Sequence, residues 1–273
     1  MKRGSLYWLA WALLATASVA QHLTFAAEPG DKNGLPSAIP PVATTGRHAV
    51  QQEHPRLLGS RRRLEQLAQR RPEAYQRVVR VAREQEADEH TKMISLALVA
   101  AVEGDEVAGR RAVEMAMKTV DGPIKQGHVT FGHDLARCAI VYDLCHECWT
   151  SPERAAFHAY MNRTVDANVQ SETHVFHNAW YGYKNWGIGL ACYATFHENP
   201  RAARILRTLE EDYLTRAAPA LQLAGAGGGW AEGYYVNYWL YEWLFFCEVA
   251  RWCEGVDYYA AAPKFYRHRA IAG

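Results

Sequence analysis

From Ser60 to Glu254 apolar residues recur at intervals of three and four, and no stretch alternates with the period of two that strands require. Such a chain has no sheet to build and must bury the apolar stripes of its helices against one another. Proline and glycine cut the pattern into segments. A helix opens near Ser60 and is interrupted by Pro72, which starts a second helix at a position where its missing N–H is tolerated, running towards Asp88. Lys92 to Glu103 and Glu106 to Val120 are separated by Gly104-Asp105, and Asp121-Gly122-Pro123 is a stop. Gly127 to Asp134 leads into a helix reaching Trp149, and Thr150-Ser-Pro-Glu153 signals the start of one reaching Val169. Asn178 to His197, a partner from Asn199-Pro200 to about Ala218, and a last helix to Glu254 complete the series. The fold class is therefore all-α, built from antiparallel pairs recurring every ~40 residues. Such pairs either stack in a line or curve into an (α/α) toroid, and periodicity does not choose between the two.

Hydrophobic residues make up 49% of the 273, so a large core is available. Lys plus Arg is 30 against Asp plus Glu 29, which argues against a generally polyanion-coating surface, and no nucleic-acid partner is expected. Arg61, Arg62, Arg63, Arg70, Arg71, Arg77, Arg80 and Arg83 give the early helices a basic cast, read as a solvated helix face. Residues 1–20 read as a signal peptide: Lys2 and Arg3 precede the apolar stretch Leu6–Ala17, and Ser18-Val19-Ala20 supplies small residues for cleavage, with Ala27 as an alternative end. Residues 21–53 form a linker or extended arm, and the folded domain covers 54–273. The mature chain is expected in the periplasm or outside the cell, without a membrane span. Export permits disulfides. Cys138, Cys145 and Cys148 sit at helical spacings that equally suit buried thiols, and Cys145-His-Glu-Cys148 has no second pair to complete a zinc site. No metal or other cofactor is expected in this chain.

Two clusters carry the chemistry. In Gly225-Ala-Gly-Gly-Gly-Trp-Ala-Glu-Gly-Tyr-Tyr-Val-Asn-Tyr-Trp239, the glycine run is unsuited to a helix interior, so Glu232, Tyr234, Tyr235 and Tyr238 stand where a loop meets a helix. If Ala231 opens that helix, Tyr235 and Tyr238 point to nearly the same side. In His174-Val-Phe-His-Asn-Ala-Trp-Tyr-Gly-Tyr-Lys-Asn-Trp186, His177, Tyr181, Lys184 and Asn185 form one polar stripe if the segment is α-helical, with Asn178 at its opening turn. Polar groups at a helix N-terminus suit an anionic group such as a carboxylate. The plain alternative is that Asn178 caps the helix and His177 packs.

His177-Asn178 leading a helix, followed by Gly229-Trp-Ala-Glu-Gly-Tyr-Tyr-Val-Asn-Tyr238, resembles the toroid domain of the heparinase II/III-like and alginate-lyase group. His54-Pro-Arg-Leu-Leu58, Ala139-Ile-Val-Tyr-Asp143, Thr150-Ser-Pro-Glu-Arg154 and Gly255-Val-Asp257 fit as well, so the similarity spans His54 to Tyr259. It implies an incomplete (α/α) toroid and β-elimination on an acidic, uronate-containing polysaccharide. Neutral donors must then hold the uronate carboxylate and spread the enolate charge. His177 and Asn178 are of that type, in the reverse of the family's Asn-His order. Tyr235 is the first choice for the base and Tyr238 the second, each needing a pKa lowered from ~10. Glu232, Trp180, Tyr181, Lys184, Trp230 and His133 are the candidate substrate contacts, with Trp239 a further platform and His128 and Asp134 lesser members. The group usually carries a C-terminal β-sandwich with a further catalytic residue and sometimes a structural zinc, and this chain has no strand pattern after its last helix. The chain thus reads as a truncated or shortened lyase. Two other readings are a glycoside hydrolase using Glu232 and Asp134, which needs carboxyls about 5–10 Å apart, and a non-catalytic exported glycan-binding or scaffold module.

Overall fold

The computed structural model describes residues 46–84, 86–126, 131–168 and 174–272. The expected leader, most of the arm and His128 lie outside them. The described residues are all-helical, with eleven α-helices and no strand among them. They are α1 Arg61–Arg70, α2 Pro72–Arg83, α3 Glu89–Glu103, α4 Glu106–Val120, α5 Phe131–Leu144 and α6 Ser151–Asn168. There follow α7 Trp186–Ala194, α8 Ala202–Asp212, α9 Ala218–Ala224, α10 Leu240–Glu254 and α11 Pro263–Ala272.

Local chemistry explains the starts. Ser60, Asp88 and Asp105 each accept a hydrogen bond from a backbone N–H of the first turn that follows, satisfying donors left without helical partners. Pro72 is the first residue of α2. Thr150 and Glu153 form a reciprocal cap: Thr150 N–H donates to Glu153 Oε2 at 2.8 Å, and Glu153 N–H donates to Thr150 Oγ1 at 3.4 Å. Gly104 ends α3 in the left-handed region at φ 71°.

Packing places α3, α5, α7 and α10 side by side as a row of parallel helices. Along residues 182–193, which end in α7, Gly182 meets Trp239 and Glu242, Gly189 meets Phe246, and the Tyr193 hydroxyl donates to Glu254 at 3.2 Å. Ascending positions on one element thus meet ascending positions on the other. Gly187 abuts Gly132, so the start of α5 meets the start of α7, while their C-terminal ends meet the same segment 54–57 through Asp143 and Glu198. The connecting helices return antiparallel: Tyr75 at the start of α2 reaches Glu103 at the end of α3, and Lys118 near the end of α4 pairs with Glu89 at the start of α3. The N-termini of the row therefore gather at one end and the C-termini at the other, wiring compatible with the expected toroid.

The C-terminal end is strapped by the segment 54–57. Asp143, fully buried at the end of α5, accepts from the backbone N–H groups of Arg56 and Leu57 at 2.9 and 2.8 Å, and from His54 Nδ1 at 2.7 Å. The buried Arg56 guanidinium reaches Glu198 beyond α7 at 2.9 Å, and Cys253 at the end of α10 donates to the Arg56 carbonyl at 3.4 Å. His54-Pro-Arg-Leu is a clamp across three helix ends.

Several boundaries differ from expectation. α2 ends at Arg83, not near Asp88, because the chain turns away at extended Glu84. The segment expected as one helix from Asn178 to His197 is a wider π-helical turn, Ala179–Asn185, followed by α7. The partner of α7 passes through a second π turn, Tyr213–Ala217, and continues as α9 to Ala224. The last expected helix does not open at Ala231: Gly233–Tyr238 is a 3₁₀ turn and α10 begins at Leu240. Beyond Glu254, α11 packs back on the glycine loop, with the aromatic ring of Phe265 against Gly225.

Candidate functional site

The glycine run is explained by close approach as well as by conformational freedom. Gly228 has φ 77°, and a Cβ there would lie 2.9 Å from the Arg269 backbone nitrogen on α11. Anchored there, the loop carries Trp230 and Glu232 to the opening of the π turn. Glu232 Oε2 accepts from the Asn178 backbone N–H at 2.5 Å and from Trp230 Nε1 at 3.4 Å, and Oε1 stands 3.6 Å from His177 Nε2. The two motifs expected to share a site are thus joined through one carboxylate, 54 residues apart in sequence. The side chain of His177 is 41% exposed. Asn178 is buried and its side-chain carbonyl Oδ1 lies out of solvent without a hydrogen-bond partner.

Tyr234, Tyr235 and Tyr238 stand on the 3₁₀ turn, 69%, 52% and 47% exposed, as a cluster with ring centroids 5.5 to 6.5 Å apart. Three residues per 3₁₀ turn keep Tyr235 and Tyr238 on one side although the α-helix expected there is absent. The hydrogen bond to Tyr234 raises the pKa of the Tyr238 phenol. That direction favours the protonated phenol, whereas a base must lose its proton.

Other expected contacts are corrected by burial. Trp180 is 1% exposed and its indole N–H donates to Asp212 at 3.0 Å. Tyr181 is fully buried, its ring stacked on Trp239 at 4.2 Å, and burial drives its phenol pKa far up. Trp239 is itself fully buried. These rings are packing and do not meet a sugar. The polar stripe fails for the same reason: the π turn brings Tyr181 and Asn185 inward, and Lys184 is half-buried, with a pKa lowered by burial. Trp230 is partly exposed, edge-on to Tyr181. Asp134 is buried beside Lys125 at 2.5 Å and is not an open carboxyl.

His133 does reach this end of the row, but its Nε2 is 2.7 Å from Glu242 Oε1. Glu242 was not foreseen. It is 6% exposed, burial raises its carboxyl pKa, and its second oxygen, which has no hydrogen-bond partner, occupies the space left by the missing Cβ of Gly182. An acid among apolar neighbours in the first turn of α10 was the available signal.

At the opposite end, His54, His146 and Glu198 bring possible ligand atoms within 4.8 Å of one another. The Arg56 guanidinium lies 2.7 Å from His54 Nε2 and donates to Glu198, so a cation already occupies the cluster. The two imidazoles are stacked nearly parallel at 3.9 Å, which keeps their lone pairs from converging on one ion. This group fits the strap better than a metal. All six cysteines are free thiols. Among the described residues no helix is long and apolar enough to cross a membrane.

A scan against models of known protein families and a search of curated proteins return no match.

Proposed function

We propose that this chain is the helical domain of an exported polysaccharide lyase that cleaves a uronate-containing polymer by β-elimination. The observation that supports the reading is the bridge made by Glu232, which holds the exposed His177 imidazole beside the loop bearing the tyrosines. An incomplete toroid is the architecture that accompanies it. No cofactor is needed for the reaction.

Abstraction of the proton next to a uronate carboxylate places charge beside an existing anion, so donors must face that carboxylate. His177 takes this role through Nε2, because Nδ1 accepts from the Ala179 backbone N–H at 3.1 Å and Nε2, on the exposed ring, stands 3.6 Å from Glu232, beyond a direct hydrogen bond. Asn178 acts from behind, its backbone N–H fixing Glu232. Tyr235, as the phenolate, is the base that removes the C5 proton; the C4–O bond then breaks and the leaving oxygen takes that proton back from the Tyr235 hydroxyl. Tyr234, Tyr238 and Trp230 offer ring faces for sugars.

Incubating the protein with uronate polymers tests the proposal: unsaturated uronides, seen as new ultraviolet absorbance, are expected. Products heavier by one water would identify hydrolysis instead, and glycan binding with neither product would identify a binding module.

A further inference from the structure

Among the described residues, α1 and α2 carry a strongly charged surface outside the candidate site. Residues 61–83 hold eight arginines and two glutamates, whereas the rest of the chain holds 22 basic and 27 acidic residues. Seven of the eight are exposed; Arg63 is half-buried, its guanidinium 4.3 Å from the ring of Trp252, itself 42% exposed.

Arg56, Arg110, Arg201, Arg207, Arg216 and Arg251 each pair with a carboxylate. Those on α1 and α2 form no ion pair among the described residues. Among the described residues Arg111, Arg154, Arg163, Arg204 and Arg269 also lack an ion pair, but they are scattered over four helices, whereas those of residues 61–83 are gathered on two adjoining ones. Unpaired like charges on adjoining helices repel, a cost that an anionic ligand removes. The surface has an edge: Glu84, Glu86, Asp88 and Glu89 follow α2 directly, on the side facing the N-termini of the row. α1 lies instead near the opposite end, with Arg61 close to Gly104 at the end of α3, and Gly59 and Arg63 against Trp252 in the last turn of α10. The basic surface is therefore remote from His177 and Tyr235.

We infer that Arg61, Arg62, Arg70, Arg71 and Arg77 form a second binding surface for an acidic polysaccharide, separate from the candidate site at His177 and Tyr235. Carboxylates spaced along a flexible polymer match guanidinium groups spaced along two helices, and Trp252 at the margin adds an aromatic face for a sugar. A polymer held there raises the local concentration of its remaining length at the other end of the molecule. The choice of a polysaccharide over other polyanions rests on the proposed function; the existence of the surface does not.

The test is binding of the full chain to alginate at 50 and 200 mM salt, comparing wild type with R61Q/R62Q/R70Q/R71Q and with Tyr235→Phe. These substitutions lie on exposed positions of α1 and at the exposed Arg71 that joins it to α2, and circular dichroism checks that the fold is kept. The arginine variant is expected to bind at least ~10-fold more weakly at the lower salt, with a shallower dependence of affinity on salt, since fewer counterions are released. Tyr235→Phe is expected to keep the wild-type salt dependence. Equal affinity of wild type and arginine variant, or no alginate binding at all, overturns the inference. Tighter binding of single-stranded DNA or of anionic lipid vesicles than of alginate overturns the choice of polysaccharide. Arginine-dependent binding without any elimination would support this surface while removing the proposed lyase activity.

Discussion

Gly187 on α7 and Gly132 on α5 touch so closely that a Cβ at Gly187 would lie 1.9 Å from the Gly132 carbonyl oxygen. This contact sets the spacing of two neighbouring helices beside the candidate site. The obstacle is backbone, which has no alternative rotamer. Gly187→Ala is expected to destabilise the protein by about 3 kcal/mol, at the upper end of overpacking costs, measured by urea unfolding. A loss below ~1 kcal/mol would mean that the helices are not packed as described.

Trp180 separates packing from ligand contact. Its ring is enclosed and meets Tyr181, Tyr213 and Trp243. Trp180→Ala is expected to cost about 3–5 kcal/mol in unfolding experiments, as for other buried aromatic deletions. Trp230→Ala is expected to cost less stability and to weaken glycan binding. The reverse ranking would return Trp180 to the site.

The thiols give a third test. Burial raises the pKa of all six cysteines, that of Cys138 to about 12, and only Cys148 is more than marginally accessible. Titration of the native protein with a thiol reagent is expected to find Cys148 reacting first and the others only on unfolding. Reductant is expected to leave the Tm unchanged. A Tm that falls with reductant would reveal disulfides.

The strap should make stability depend on pH. Glu198 is held at about 2 although burial opposes its charge, because His54 and Arg56 hydrogen-bond to it. A carboxylate depressed in the folded state stabilises above its unfolded pKa of ~4.5, and that stability is lost as pH falls from there towards 2. His146 is lowered to about 4 by burial, so it also disfavours the folded state as pH falls below ~6.5. His54 works the other way: despite burial, its bonds to Asp143 and Glu198 raise its pKa, a contribution lost as pH rises above ~6.5. Glu198→Gln is expected to reduce stability by about 2 kcal/mol at neutral pH and to flatten the loss below pH ~4.5. An acid limb unchanged in this variant would mean that Glu198 is not held by the strap.

Much of the helical outline was legible from residues alone, because its signals are local: Ser60 and Pro72 at starts, Gly104 at an end, Thr150 with Glu153 as a reciprocal cap. The π turn at Ala179–Asn185 was not, and it inverted the reading of Trp180 and Tyr181. A period of 3.6 applied to a wider turn assigns side chains to the wrong faces. Glycines at 182, 187 and 189 were the overlooked hint, since each accommodates a group from a neighbouring helix: Glu242, the Gly132 backbone and Phe246. The junction of His177-Asn178 with Glu232 was anticipated as a neighbourhood, but the carboxylate at its centre could only be placed by the fold. Glu242 escaped notice because its partner, His133, lies 109 positions away.

Initial rates of unsaturated-uronide formation by wild type, Tyr235→Phe and Tyr238→Phe put the lyase assignment to its hardest trial. Removal of an acid–base group is expected to slow Tyr235→Phe by roughly 10²–10⁴-fold, while Tyr238→Phe stays within about tenfold of wild type. Undiminished turnover in Tyr235→Phe, or none in the wild-type protein, contradicts it.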